Sequence, residues 1–216
     1  MTSERRNRVL AGLLVLCAAA APAWAEEKQR DTFMATVVQT ANMRLPGGRT
    51  FQITMNVDQW TSVEERKRLL TVFKEGGNDA LMKELRKMKA GYIVPPAWAR
   101  WPSWEVDVAS SIPQPDGGRI VRLFTERPIA FAESYYDTRS KDYEFGIVEL
   151  KLDAEGKGEG ATIPAARLSL DAEGQLVVET TPYVTGPQRL MGVSQWKNKK
   201  DKKKDKDEDK DDSETE

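Results

Sequence analysis

Leu150-Lys151-Leu152-Asp153-Ala154-Glu155-Gly156 returns eighteen residues later as Leu168-Ser169-Leu170-Asp171-Ala172-Glu173-Gly174. Each copy is an alternating strand that runs into an Asp-x-x-Gly turn. The Asp carboxylate can cap such a turn, and the Gly can take the positive φ that closes a type I turn with a bulge. Two copies in succession, preceded by Phe145-Gly146-Ile147-Val148-Glu149, predict an antiparallel meander. Its expected inward residues are Val148, Leu150 and Leu152, then Ala166, Leu168 and Leu170, then Leu176 and Val178. Pro164 marks an edge or a bulge at the head of its strand.

Upstream of this meander the same alternation recurs. Trp104 to Ile112 and Arg119 to Glu126 flank Pro115-Asp116-Gly117-Gly118, a strong hairpin signal, with Trp104, Val106 and Val108 expected inside. Ile129 to Tyr136 reads as a weaker strand, ended by the polar cluster from Asp137 to Asp142. Phe33 to Ala41 and the run from Phe51 pair across Pro46-Gly47-Gly48. In the second of these, Phe51, Ile53, Met55 and Val57 face one side and polar residues the other. Arg189 to Trp196 supplies a last strand to close the sheet.

Between Val57 and the next strand the period changes from two to that of a helix. Ser62-Val63-Glu64-Glu65 is a capping box, followed by Leu69, Leu70 and Phe73 at helical spacing. Gly76-Gly77-Asn78 breaks this helix and starts another, with Leu81, Leu85 and Met88 on one side and a stop at Gly91. The charged outer faces of this helical hairpin suit a place on a sheet or over a barrel end. The expected fold is therefore mainly antiparallel β, a barrel or clam-like roll with a β-sandwich as the alternative, carrying one inserted α-helical hairpin at 62–90 and α+β overall.

The 216 residues hold one domain with two appendages. Residues 1–25 have a basic start, a short apolar run and Ala23-Trp24-Ala25, the form of a cleaved signal peptide, which predicts a bacterial periplasmic or secreted protein. Residues 26–32 read as a disordered linker, 33–196 as the β-rich domain, and 197–216 as a disordered charged tail. From Lys197 to Lys206 the tail carries seven Lys against two Asp, and from Asp207 to Glu216 one Lys against seven acids. This tail solubilises the protein or docks an envelope protein or polymer. A net charge of −1, with no basic stripe among aromatics, argues against nucleic acid as a partner. No transmembrane segment is expected in the mature chain.

The sequence has no histidine, and its only cysteine, Cys17, falls in the leader. A mature chain without either has no thiol nucleophile, imidazole base or disulfide, and lacks the usual ligands of zinc, copper and haem. No cofactor, no metal and no catalytic residue is expected. Asp153 to Gly160 alternates acids with glycines like a calcium loop, but lacks the later Glu and further oxygen ligands, and reads better as a hairpin.

Three of the six tryptophans lie at intervals of three among prolines: Trp98, Trp101 and Trp104. A polyproline II backbone would align them along one edge as a stacking platform, with Tyr135 and Tyr136 at a pocket mouth. Alternatively they pin an extended connector across the core, Trp104 above all. At Phe145-Gly146-Ile147-Val148-Glu149-Leu150, Gly156-Lys157-Gly158-Glu159-Gly160, Pro164-Ala165-Ala166, Arg127-Pro128-Ile129 and Asp79-Ala80-Leu81, the chain resembles a family of uncharacterised exported bacterial proteins. The resemblance spans about residues 33–193; it implies an exported domain of mixed composition and brings no activity, cofactor or site residue with it. The functional expectation is a non-catalytic binding or accessory protein taking a small hydrophobic or carbohydrate-like ligand. The alternatives are a protein-interaction module using sheet edges and the tail, and a carboxylate-based hydrolase.

Overall fold

A computed structural model describes residues 30–38, 50–129, 143–172, 175–180 and 187–196. The leader, the tail, the turn at Pro46, and Tyr135 and Tyr136 lie outside these residues. The strands are β1 (Asp31–Val38), β2 (Thr50–Val57), β3 (Gly91–Val94), β4 (Trp104–Val106), β5 (Val108–Pro113), β6 (Arg119–Thr125), β7 (Phe145–Leu152), β8 (Lys157–Leu170), β9 (Leu176–Thr180) and β10 (Gln188–Trp196). Asp31 and Thr32 thus belong to β1 and not to a linker. One helical element, α1 (Val63–Leu85), stands between β2 and β3. No helix among the described residues is long and apolar enough to cross a membrane.

All pairings are antiparallel, in the order β4-β3-β2-β1-β10-β8-β7-β6-β5, with β9 beside the far half of β8. The two ends of that order, β4 and β5, are consecutive in the chain and separated only by Asp107. Its N–H continues the ladder to the Phe124 carbonyl at 2.9 Å, so one bent strand joins both edges and the sheet is a nearly closed barrel. Closure removes the edges that an open sheet would leave unpaired.

The hairpin turns form as their residues dictate. Asp153 accepts N–H bonds from Glu155 (2.9 Å) and Lys157 (2.8 Å) on its carboxylate, and Gly156 takes φ +78°. Asp171 accepts from Gln175 N–H at 2.7 Å in the second copy. The loop after Asp153 is therefore a hairpin whose carboxylate is already occupied by backbone donors. Among the described residues no group of three or more candidate metal ligands assembles.

Inside the barrel, Phe33, Ile53, Met55, Ile93, Leu123, Leu150 and Leu190 are fully buried and fill the lumen with side chains. Around Phe33 its end is roofed by Arg119, which stacks over Phe33 and Trp60 and donates to Gln195 at 2.9 Å. Asp31 accepts from both Trp60 Nε1 (2.9 Å) and Gln195 Nε2 (2.7 Å).

Two bulges correct the expected facing of residues. At Asp107 an extra residue separates Val106, inside, from Ala109, inside, and sends Val108 to the outer wall. At Pro164 the register slips between Phe145↔Ala166 and Ile147↔Ile163, three residues of β8 against two of β7. A one-residue insertion exchanges the two faces of a strand. Ala166 and Leu168 therefore pack outside against α1, and Leu170, Leu176 and Val178 are exposed.

The helical hairpin forms on the outer wall. Ser62 caps α1, its Oγ accepting from Glu65 N–H at 3.1 Å while the Glu65 carboxylate accepts from Ser62 N–H at 3.0 Å. Gly77 leaves helical geometry at φ +67°, ψ −161°, a conformation essentially reserved for glycine. Arg68 and Glu84 would lie about 24 Å apart in one straight helix, yet their side chains pair at 2.7 Å, so the limbs fold back on each other. Gly91 is not a helix stop. The helix ends at Leu85, and Gly91 opens β3 where a Cβ would overlap the Asn56 carbonyl of β2.

Candidate functional site

The hairpin of α1 is tied down at its base and its apex, and it spans the outer faces of β5 to β8. At the base, Thr61 N–H donates to Ala109 O (2.8 Å), Ala109 N–H returns to Thr61 Oγ1 (3.1 Å), and Arg86 pairs with Glu126 at 2.8 Å. At the apex Asn78 Nδ2 donates to Leu168 O at 3.0 Å. Between these ties Leu69, Phe73, Leu81 and Leu85 pack with Phe145, Ala166 and Leu168 of the wall, but not along the whole of the limbs. A cleft of about 650 Å³ opens there, within the range of small-ligand sites.

Its helical side is a single row at i, i+3, i+4 and i+7: Arg66, Leu69, Leu70 and Phe73, joined by Leu81 and Leu85 from the second limb. Strand pairing orders its sheet side into two tiers. Val108, Phe124, Ile147 and Ile163 stand opposite one another on successive strands and make an apolar tier. The next tier along is Ser110, Arg122, Glu149 and Ala161, which is polar in its middle. Leu168, Leu176 and Val178 wall the far end. Arg122 and Glu149 pair at 2.8 Å. Arg66, half-buried, has one side-chain hydrogen bond among the described residues, to Ser62 O at 3.4 Å.

This arrangement offers a greasy slot with charge at one margin. Among the described residues that line it, Arg66, Arg122, Glu149 and Ser110 are the polar ones, and the remaining apolar surface can accommodate an apolar body.

The tryptophans stand elsewhere, and none lines the cleft. Trp104 is 4% exposed in β4, inside the barrel. Trp101 lies edge-on to Phe51 with centroids 5.6 Å apart, and Trp98, 53% exposed, meets Trp101 at 6.1 Å and 57°. They do not share an edge as expected from a polyproline II path. The chain instead makes a 3-10 turn at Ala97–Ala99 and a left-handed step at Arg100, φ +54°.

Sequence reasoning passed over the cleft residues, although a signal was present. Phe124, Ile147 and Ile163 are apolar on the face of their strands that elsewhere carries Arg122, Glu149 and Glu159. Strands apolar on both faces are covered on both faces, and among the described residues the helical hairpin is the amphipathic element that covers the second face. Compared with protein-family models, curated proteins and solved structures, the chain matches none of them.

Proposed function

We propose that this protein is a non-catalytic binding protein of the bacterial envelope or secreted fraction, holding a small hydrophobic ligand in the cleft between α1 and the outer barrel wall. The observation that carries this reading is the cleft itself: about 650 Å³ whose walls are predominantly Leu, Ile, Val and Phe, lying between the wall and a hairpin pinned to it at both ends. A barrel lumen filled with side chains supports a site on the outer wall. The apolar lining favours a hydrophobic ligand over a carbohydrate, whose hydroxyls need a dense set of polar partners. The non-catalytic and exported parts of the reading rest on the sequence, which has no histidine and begins with a leader-like segment.

The test is calorimetric titration of the purified protein with dodecanol, below its solubility limit, against Leu176→Asp and Leu70→Glu. Both residues line the cleft and are at least 40% exposed, so neither change disturbs the core. Binding with a stoichiometry near one, weakened at least about tenfold by either substitution, is the expected result, since a buried charge against an alkyl chain costs more than about 1.4 kcal/mol. Undiminished binding in both variants would place the ligand elsewhere.

A second reading draws on β9. Among the described residues it pairs with β8 alone, and Leu176, Val177 and Val178 are all exposed along it. An apolar edge strand of this kind is a template for strand addition, which favours a protein-interaction module. Val177 lies on the face of β9 opposite the cleft residues Leu176 and Val178. Loss of self-association or partner capture in Val177→Lys, with dodecanol binding intact, would select this reading.

A further inference from the structure

Arg66 stands in line with the apolar row of the cleft, one helical turn before Leu69 and Leu70 and about 10 Å along the axis from Phe73. A guanidinium at the end of a greasy row, half-buried and without a carboxylate among the ion pairs of the described residues, has donors to spare. Opposite it, the polar tier of the wall places Arg122 beside Glu149. The tie of Thr61 to Ala109, next to Ser110 of that tier, sets the start of the first limb on the same side of the cleft. The margin therefore holds two guanidiniums against one carboxylate, and the opposite end, at Leu168, Leu176 and Val178, holds no charge.

We infer that the occupant is a single-chain anionic amphiphile, its hydrocarbon tail lying along Leu69, Phe73 and Ile147 and its carboxylate or phosphate head meeting Arg66. This rests on the cleft being the binding site, and it adds the polarity of the ligand and the direction in which it lies. A planar guanidinium presents paired donors that match a carboxylate or phosphate, and partial burial keeps solvent from screening the contact fully. A neutral head would leave the Arg66 donors without a matched acceptor, and a cationic head would be repelled.

The experiment compares dodecanoate, monododecyl phosphate, dodecanol and dodecyltrimethylammonium, identical in tail, by calorimetry on the whole protein. Dodecanoate or the phosphate binds roughly tenfold tighter than dodecanol, as a part-exposed charge-assisted hydrogen bond provides, and the ammonium binds weakest. The stronger of the two anions identifies the head. Arg66→Leu, with unchanged far-ultraviolet circular dichroism, brings the anions level with dodecanol and leaves dodecanol within about twofold, whereas Arg66→Lys keeps part of the preference. Equal affinities for anion and alcohol, or a preference that survives Arg66→Leu, overturn the inference while leaving the cleft as a hydrophobic site. If no dodecyl compound binds, the cleft reading fails and this inference with it.

Discussion

Asp107 carries the sharpest prediction, because the barrel closes on it. It is 2% exposed at the junction of β4 and β5, and its carboxylate accepts the N–H of Glu126. Burial pushes its pKa from 3.8 up to about 7. The Glu126 N–H works against that rise, the carboxylates of Glu126 and Glu105 add to it, and Arg127 opposes it. Between pH 4 and 7 the folded protein therefore holds a proton that the unfolded chain has released. Stability changes with pH in proportion to the protons bound unfolded minus those bound folded, which is negative in this window. Stability falls as pH rises from about 4 to about 7 and then levels off. At about 1.4 kcal/mol per tenfold change in proton affinity, the loss is roughly 4 kcal/mol. Asp107→Asn keeps the carbonyl acceptor for the Glu126 N–H and removes the titration. Urea unfolding from pH 4.5 to 8 should show the variant gaining on the parent up to about pH 7 and then holding its lead, ahead by several kcal/mol at pH 8 relative to its position at pH 4.5. Parallel profiles across that range would refute the reasoning, since they would mean that no buried carboxyl titrates at the seam.

Three further predictions follow from the backbone and the hairpin. Gly77→Ala forces a side chain into φ +67°, ψ −161° with no steric neighbour to blame, so a loss of about 1–3 kcal/mol in urea denaturation would be pure backbone strain; a neutral result would mean that the hairpin turn is made differently. In Gly158→Ala the new Cβ would overlap the Lys151 carbonyl of β7, a backbone atom that cannot swing aside. A destabilisation of at least about 2 kcal/mol should appear as a lowered thermal midpoint, and an unchanged midpoint would contradict the β7–β8 register. Ser62→Ala removes the Oγ that accepts the Glu65 N–H and leaves the backbone N–H of residue 62 on the Glu65 carboxylate, costing about 1 kcal/mol and raising proteolysis at the lysines and arginines of α1 ahead of global unfolding.

How much of this could be read from the sequence depends on how locally each feature is encoded. Asp153 and Gly156 specify their turn through bonds within five residues, so the meander was legible. The same holds for Ser62 with Glu65, and for Gly77, whose positive φ makes the hairpin. Facing was legible only until a bulge intervened. Phe51, Ile53, Met55 and Val57 all point into the barrel, as alternation requires, but Val108 and Leu168 do not, because Asp107 and the Pro164 segment each insert one residue. The alternation continues unbroken past both insertions, and only the second was signalled, by Pro164, which marks an edge or a bulge. The cleft was the least legible feature. Its lining gathers one face of α1 and the outward residues of β5 to β9, and only strand register brings Val108, Phe124, Ile147 and Ile163 into a row. The tryptophans drew attention by their spacing, yet the 3-10 turn at Ala97–Ala99 and the left-handed step at Arg100 break the polyproline II path, leaving Trp98 exposed against Trp101 and Trp104 buried in the barrel.

The most direct test of the account is a methyl-resolved nuclear magnetic resonance titration of isoleucine-, leucine- and valine-labelled protein with dodecanoate. Saturable shifts are expected at Leu69, Leu70, Ile147, Ile163, Leu176 and Val178, which line the cleft. Ile53, Ile93 and Leu190, packed in the barrel lumen, should stay still. Shifts centred on the lumen residues, or no saturable shift at the cleft residues, would contradict the claim that the outer wall under the hairpin is where this protein binds.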